Sequence, residues 1–274
     1  MKTRIITGLA GLAFCIIVFI FGENLTWLYS IAVALINSIM CFEFMTAKRV
    51  HKQIPLLILS MLFGLSMPLL VGTPVWYLPI IFYTFLMFLC LIFLSSKITV
   101  NGLVFAYAGS MILTLSMSTL AYLMTCMGGW HAFYATISLI GSWSADTVAY
   151  FTGTYFGKHK LCPNISPKKT VEGAVGGGLA SVVFCVLCAV IFQFAVYKDI
   201  NMNYPAILVI GLYCSVVSVL GDLIFSAIKR ECSIKDYGSI MPGHGGFVDR
   251  FDSVIFCVPF VFLIANTWGL FSII

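Results

Sequence analysis

Apolar runs of about 20 residues follow one another along almost the whole chain, each long enough for a helix to cross the roughly 30 Å hydrocarbon core of a bilayer. They lie near 5–21, 25–44, 54–71, 75–94, 100–127, 133–153, 174–197, 206–228 and 252–271. Short turns, Gly22-Glu23-Asn24 and Gly72-Thr73-Pro74, join two early pairs and make those segments antiparallel neighbours. With 61% hydrophobic and 9% charged residues, against about a quarter charged in a soluble domain, the chain reads as an all-α integral membrane protein. The expected architecture is a polytopic bundle of about nine transmembrane helices. The fifth segment is long enough to tilt or break, and the first, which lacks a small-residue cleavage site, reads as a span rather than a removed signal.

Lys and Arg set the orientation. In a nine-span arrangement Lys2, Arg4, Lys48, Arg49, Lys52, Lys97, Lys158, Lys160, Lys168, Lys169, Lys229, Arg230, Lys235 and Arg250 share one side, and of the 15 only Lys198 falls on the other. The positive-inside rule then places the loops 154–173 and 229–251 in the cytoplasm, as in a bacterial-type inner membrane. The net charge of +5 is accounted for by this asymmetry, so no nucleic-acid partner is expected. The ten Cys are scattered, and the CxxC of Cys185 and Cys188 lies within an apolar run, where helix packing explains it better than redox or zinc chemistry.

Residues 1–135 carry little chemistry. Glu43 reads as an interfacial, water-reaching carboxylate in preference to a ligand, and Lys48 to Lys52 with His51 as a solvated loop facing lipid phosphates. Residues 136–274 differ. An ionised Asp near a helix centre costs about 2.5–3.5 kcal/mol on insertion scales, so Asp146 and Asp222, inside apolar spans, need partners or water. Ser142, Asp146 and Tyr150 share one helix face, as do Asp222, Ser226, Lys229 and Arg230. Asp249 and Asp252 open the last span with Arg250 between them. Two spans thus end in carboxylates joined by a basic loop, an arrangement that suits Mg²⁺, which takes oxygen ligands from one or two carboxylates plus substrate phosphates. The surplus of positive charge at Lys168, Lys169, Lys229, Arg230, Lys235 and Arg250 suits a polyphosphate.

Two Gly-rich pieces, GHGG (Gly243 to Gly246) and VEGAVGGG (Gly173, Gly176 to Gly178), are open to two readings: backbone N–H groups cradling phosphate, or close helix packing, since Gly173 and Gly177 fit GxxxG. His244 suits a proton carrier, a phosphate donor or a loop-bracing hydrogen bonder. No Walker A sequence and no Ser/His/Asp set is present, and a phosphate oxyanion as nucleophile needs no general base.

At these residues the chain resembles the phosphatidate cytidylyltransferases (CDP-diacylglycerol synthases). Ser226, Lys229, Arg230, Lys235, Asp236, Gly238, Pro242, His244, Gly245, Gly246, Asp249, Arg250 and Asp252 meet the long family signature, and Ser144 through Gly173 meets a second family block. Together the two blocks span roughly 142–253, while the first half matches in hydropathy alone. Met241 stands where Leu, Ile or Phe is usual, and Phe225 where many members carry Glu.

The resemblance implies a nucleotidyltransferase that joins CTP and phosphatidic acid from the inner leaflet into CDP-diacylglycerol and pyrophosphate at the cytoplasmic face. It implies a homodimer in which Asp222 and Asp249 hold Mg²⁺, with K⁺ as a second cation. Lys229, Arg230 and Arg250 are then expected at the pyrophosphate leaving group and Lys168 and Lys169 at nucleotide or lipid phosphate. Asp146, Ser226, Lys235, Asp236, His244, Gly245, Gly246 and Asp252 are expected around the substrates. Two other readings stand beside this one: a cation-coupled transporter, because intramembrane acids also mark ion paths, and a cytidylyltransferase for a different lipid phosphate.

Overall fold

The computed structural model describes residues 18, 21–22, 24–197, 200–241 and 245–273. In chain order the elements are α1 (Trp27–Ala47), a 3₁₀ turn (Val50–Lys52), α2 (Ile54–Leu70), α3 (Leu78–Phe93), α4 (Val100–Thr125), α5 (His131–Phe156), β1 (Lys160–Cys162) and β2 (Ser166–Thr170). They continue with α6 (Val171–Ile191, ending in a π turn over Phe192–Val196), β3 (Ile200–Met202), α7 (Tyr204–Glu231), the one-turn α8 (Val248–Phe251), α9 (Val254–Thr267) and β4 (Phe271–Ile273). The described residues are therefore helical as expected, with two small two-stranded ribbons added.

Among the described residues, four stretches are long and apolar enough to cross a membrane: α1, α4, Val171–Val196 and α7. The apolar helices α2, α3 and α9 are shorter, at 17, 16 and 14 residues. The fifth apolar run is one unbroken helix of 26 residues. Most of the first expected span lies outside the described residues. Large apolar side chains point outward along these helices, as Phe82, Phe85, Phe88 and Phe93 do on α3. That surface suits lipid rather than water.

The chain divides into two compact units. The first comprises Met1–His131 and Glu231–Phe251, so the loop after α7 and the short α8 group with the early helices. Its core gathers Leu56, Phe63 and Met67 of α2, Tyr83 and Met87 of α3, and Leu103 and Ala106 of α4. Phe63 stacks on Tyr83 at 4.3 Å between centroids. Several polar groups buried among these helices find partners on neighbouring helices, as suits a lipid surround. Tyr83 links the hydroxyls of Ser60 (2.9 Å) and Ser110 (2.5 Å), and Asn37 donates to Gly64 O at 2.9 Å and Thr114 Oγ1 at 3.1 Å.

The second unit comprises Ala132–Arg230 and Asp252–Ile274. The expected loop 154–173 is largely a hairpin, β1 pairing antiparallel with β2. It leads straight into α6, where Thr170 accepts the Gly173 N–H at 3.1 Å as N-cap. The Gly-rich opening of α6 packs against α5: a Cβ at Gly173 would lie 2.8 Å from Ala149 O, and one at Gly177 would strike Ala145 O. Of the two readings of VEGAVGGG, these contacts are those of close helix packing. A side chain there overpacks the contact at a cost of about 1–3 kcal/mol. Gly177→Val is accordingly expected to lower the thermal midpoint of the detergent-solubilised protein by several degrees, read as loss of the monodisperse peak on heating.

Cys185 and Cys188 are buried on α6, with Cys185 Sγ 3.3 Å from where a Gly141 Cβ would be, so this pair also serves packing. α7 runs antiparallel to α9, with Tyr213 stacked on Phe260 at 3.7 Å between centroids. Nearer the acids, a Cβ at Gly221 would lie 2.8 Å from Asp252 O.

Candidate active site

In the second unit, α5, the hairpin, α6 and α7 enclose a cavity of about 530 Å³ lined by Asp146, Tyr150, Lys160, Ser166, Lys168, Lys169 and Asp222 among others. Asp222 is its best-supported group. One carboxylate oxygen, Oδ2, meets Lys169 Nζ at 2.7 Å; the other, Oδ1, accepts the Ser226 hydroxyl at 3.1 Å. Ser226 lies one turn further along α7, the face expected from the sequence. Lys169 also donates to Val219 O at 3.3 Å, which ties β2 to α7.

Asp146, on α5, accepts the Ser253 hydroxyl at 2.7 Å. Asp252 is buried in the turn before α9, where its Oδ1 accepts the Ser253 N–H at 2.8 Å. It feels the negative charges of Asp222 and Asp146 and the positive charge of Lys229, which is itself buried on α7. Asp146 and Asp222 share the cavity with the hairpin lysines Lys160, Lys168 and Lys169. Arg230 is exposed and donates from Nε to Ile165 O at 3.3 Å, holding the hairpin turn.

The remaining expected residues belong to the first unit. Asp249 is not at the start of the last span: it sits in the first turn of α8, separated from α9 by the Asp252-Ser253 turn. A helix of a single turn is too short to leave a periodic sequence signal. Asp249 Oδ2 accepts the N–H groups of Tyr237 (2.8 Å) and Gly246 (3.1 Å). The loop is pinched by a Met241 N–H to Gly245 O bond of 3.1 Å, with Gly245 at φ +87°, a conformation that favours glycine. Lys235 and Asp236 are exposed and line a second cavity of about 610 Å³ with Glu43, Thr46, Tyr237 and Gly238. Arg250 is exposed. His244 lies outside the described residues.

The sequence reading of Glu43 is overturned. It is 1% exposed, and its Oε2 accepts the Val248 N–H at 3.0 Å, so it reaches protein rather than water. Nothing in its own helix named Val248 as its partner, 205 residues away. Ser253, which holds both Asp146 and Asp252, and Lys160 were missed for a simpler reason: isolated Ser and Lys residues carry no pattern.

Mg²⁺ takes carboxylate oxygens, and the donors at Asp222 and Asp249 fit that chemistry; at Asp222 a cation, the Lys169 ammonium, already meets one oxygen. Among the described residues no three His, Cys, Asp or Glu side chains form a closed ligand set. Asp222 and Asp249 fall in different units. Phe225 is buried against Phe256 at 6.1 Å between centroids and brings no oxygen to the position where Glu is common.

Fold and cavity together define a helical membrane protein with a pocket that carries both lysines and carboxylates beside its apolar helices. The chain belongs to the cytidylyltransferase family, whose model matches residues 2–268. It is 46% identical over 134 residues to a phosphatidate cytidylyltransferase of Bacillus subtilis (strain 168), covering 49% of this chain and 46% of that protein. It is 41% identical over 140 residues to the protein so named in Staphylococcus haemolyticus, covering 48% and 52%, and 43% identical over 128 residues to that of Staphylococcus aureus (strain COL), covering 46% of each. In these matches the chain spans about half the length of the curated relatives.

Proposed function

We propose that this protein transfers the cytidylyl group of CTP to phosphatidic acid, giving CDP-diacylglycerol and pyrophosphate, at the cytoplasmic face of a bacterial-type inner membrane and as a homodimer. The observation that carries the reading is the cavity in which Lys160, Lys168 and Lys169 stand opposite Asp146 and Asp222. The lysines suit phosphate groups, and the acids suit a cation that phosphates bring with them.

A phosphatidate phosphate oxygen forms a bond to the α-phosphorus of CTP as the bond from that phosphorus to the β-phosphate bridging oxygen breaks. Pyrophosphate leaves with the electron pair. The nucleophile is already an oxyanion, so the chain's work is alignment and charge neutralisation rather than proton removal. Lys168 and Lys169 bind phosphate, Lys229, Arg230 and Arg250 offset the charge that develops on the leaving group, and Lys235 and Asp236 belong to the substrate surround. Asp222 and Asp249 would hold Mg²⁺, which when bound supplies charge neutralisation along the triphosphate, and K⁺ is the candidate second cation.

Purified protein given labelled CTP, phosphatidate and Mg²⁺ in detergent is expected to form a liponucleotide, and EDTA to stop it. Absence of product with phosphatidate but formation with another lipid phosphate would move the substrate assignment. Label accumulating unchanged inside sealed vesicles would replace the reading by transport.

A further inference from the structure

Glu43 has no part in the reaction outlined above, yet the motif loop is built around it. Its Oε2 takes the Val248 N–H at the start of α8, one residue before Asp249. Gly238 and Gly246 press their backbones against its carboxylate so closely that a Cβ at either would strike it. Gly246 is gripped from both sides, because its N–H donates to Asp249 Oδ2 while its Cα faces Glu43. The neighbouring Phe44 stacks on Tyr237 at 5.8 Å, and the Tyr237 N–H is the second donor to Asp249 Oδ2. Glu43 Oε1, in contrast, is buried and takes no hydrogen bond of ordinary geometry from the described residues. A buried acceptor left in that state is expensive, and its retention calls for a role other than simple packing.

We infer that Glu43 is a positioning residue that fixes the backbone at Tyr237–Gly238 and Gly246–Val248 and, through it, the direction in which the Asp249 carboxylate points. The inference rests on the reading of Asp249 as a metal ligand. Groups that orient a ligand from behind typically change metal affinity about 10- to 100-fold when lost. The two conserving variants separate the roles: Glu43→Gln keeps an oxygen that can accept the Val248 N–H, whereas Glu43→Met keeps length and bulk without a comparable acceptor.

Amide exchange is measured first, on the full chain in detergent without added metal. Glu43→Met is expected to speed exchange across 237–249 about tenfold or more while α3 exchanges as in the parent, the pattern of local rather than global opening; Glu43→Gln is expected to stay near the parent. In Mg²⁺ titrations of liponucleotide formation, Glu43→Met should raise the half-saturating concentration about 10-fold or more, with Glu43→Gln close to the parent. A purely structural defect would lower the maximum rate and leave half-saturation where it was. Gln and Met variants that behave alike, in exchange or in half-saturation, overturn the inference. Asp249→Asn assayed alongside keeps the two levels apart: near-normal turnover there removes the reaction scheme itself, whereas its loss combined with indistinguishable Glu43 variants removes only the role given to Glu43.

Discussion

Asp249→Asn is expected to give a folded, membrane-extracted protein whose Mg²⁺-dependent conversion of CTP is lower by about 10³-fold, the upper range for removing one preorganised electrostatic group from a reacting centre. The fold should survive because the side chain's structural duty is to accept the Tyr237 and Gly246 N–H groups, and an Asn oxygen can still accept. What the amide cannot do is supply a full negative charge to a divalent cation. Turnover of labelled CTP, paired with elution volume and thermal midpoint of the same preparation, checks both halves of the statement. A variant within a few-fold of the parent would remove Asp249 from the metal site.

Lys169→Met is expected to separate activity from stability in the same way, from the other unit. The Lys169–Asp222 pair is partly exposed, its side chains retaining 22% and 29% of their accessible surface, and such pairs contribute only about 0–1 kcal/mol to stability. The thermal midpoint should therefore hardly move. The catalytic effect should be far larger, about 10²–10³ in kcat/KM for CTP, because the ammonium that neutralises phosphate and balances Asp222 is gone. A fall in midpoint with kcat/KM unchanged would make Lys169 a brace for the hairpin and nothing more.

The helices after residue 24 could be read closely from hydropathy: the run 100–127 is the helix Val100–Thr125, and the run 206–228 is Tyr204–Glu231. Bilayer thickness explains this, since it demands contiguous apolar length. The hairpin escaped because β2 reads Ser-Pro-Lys-Lys-Thr, with a proline and two charges where a strand pattern wants alternating apolar residues. Helix-face arithmetic put Ser226 with Asp222, and the structure joins them directly. The same arithmetic is blind between elements. Neither the Ser253 bond to Asp146 nor the Val248 bond to Glu43 leaves any periodic trace, because each joins residues more than 100 positions apart. Glycine was ambiguous for a related reason, as the absence of a side chain serves both an approaching anion and an approaching helix. Only the neighbours Ala145 and Ala149 decide between them for Gly173 and Gly177.

The ribbon of Ile200–Met202 with Phe271–Ile273 ties the residues just before α7 to those just after α9. Asn203 strengthens the tie, its N–H reaching Leu270 O at 2.8 Å and its Nδ2 reaching Gly269 O at 3.0 Å. From Tyr204 to Asp222 is roughly 27 Å of helix at about 1.5 Å per residue. Two rods pinned together at one tip resist sliding past each other, so the depths of Asp222 and Asp252 are set by residue count from a distant anchor. One residue inserted between pin and acid would carry the carboxylate, and Ser226 one turn beyond it, about 100° around the helix axis and out of the pocket.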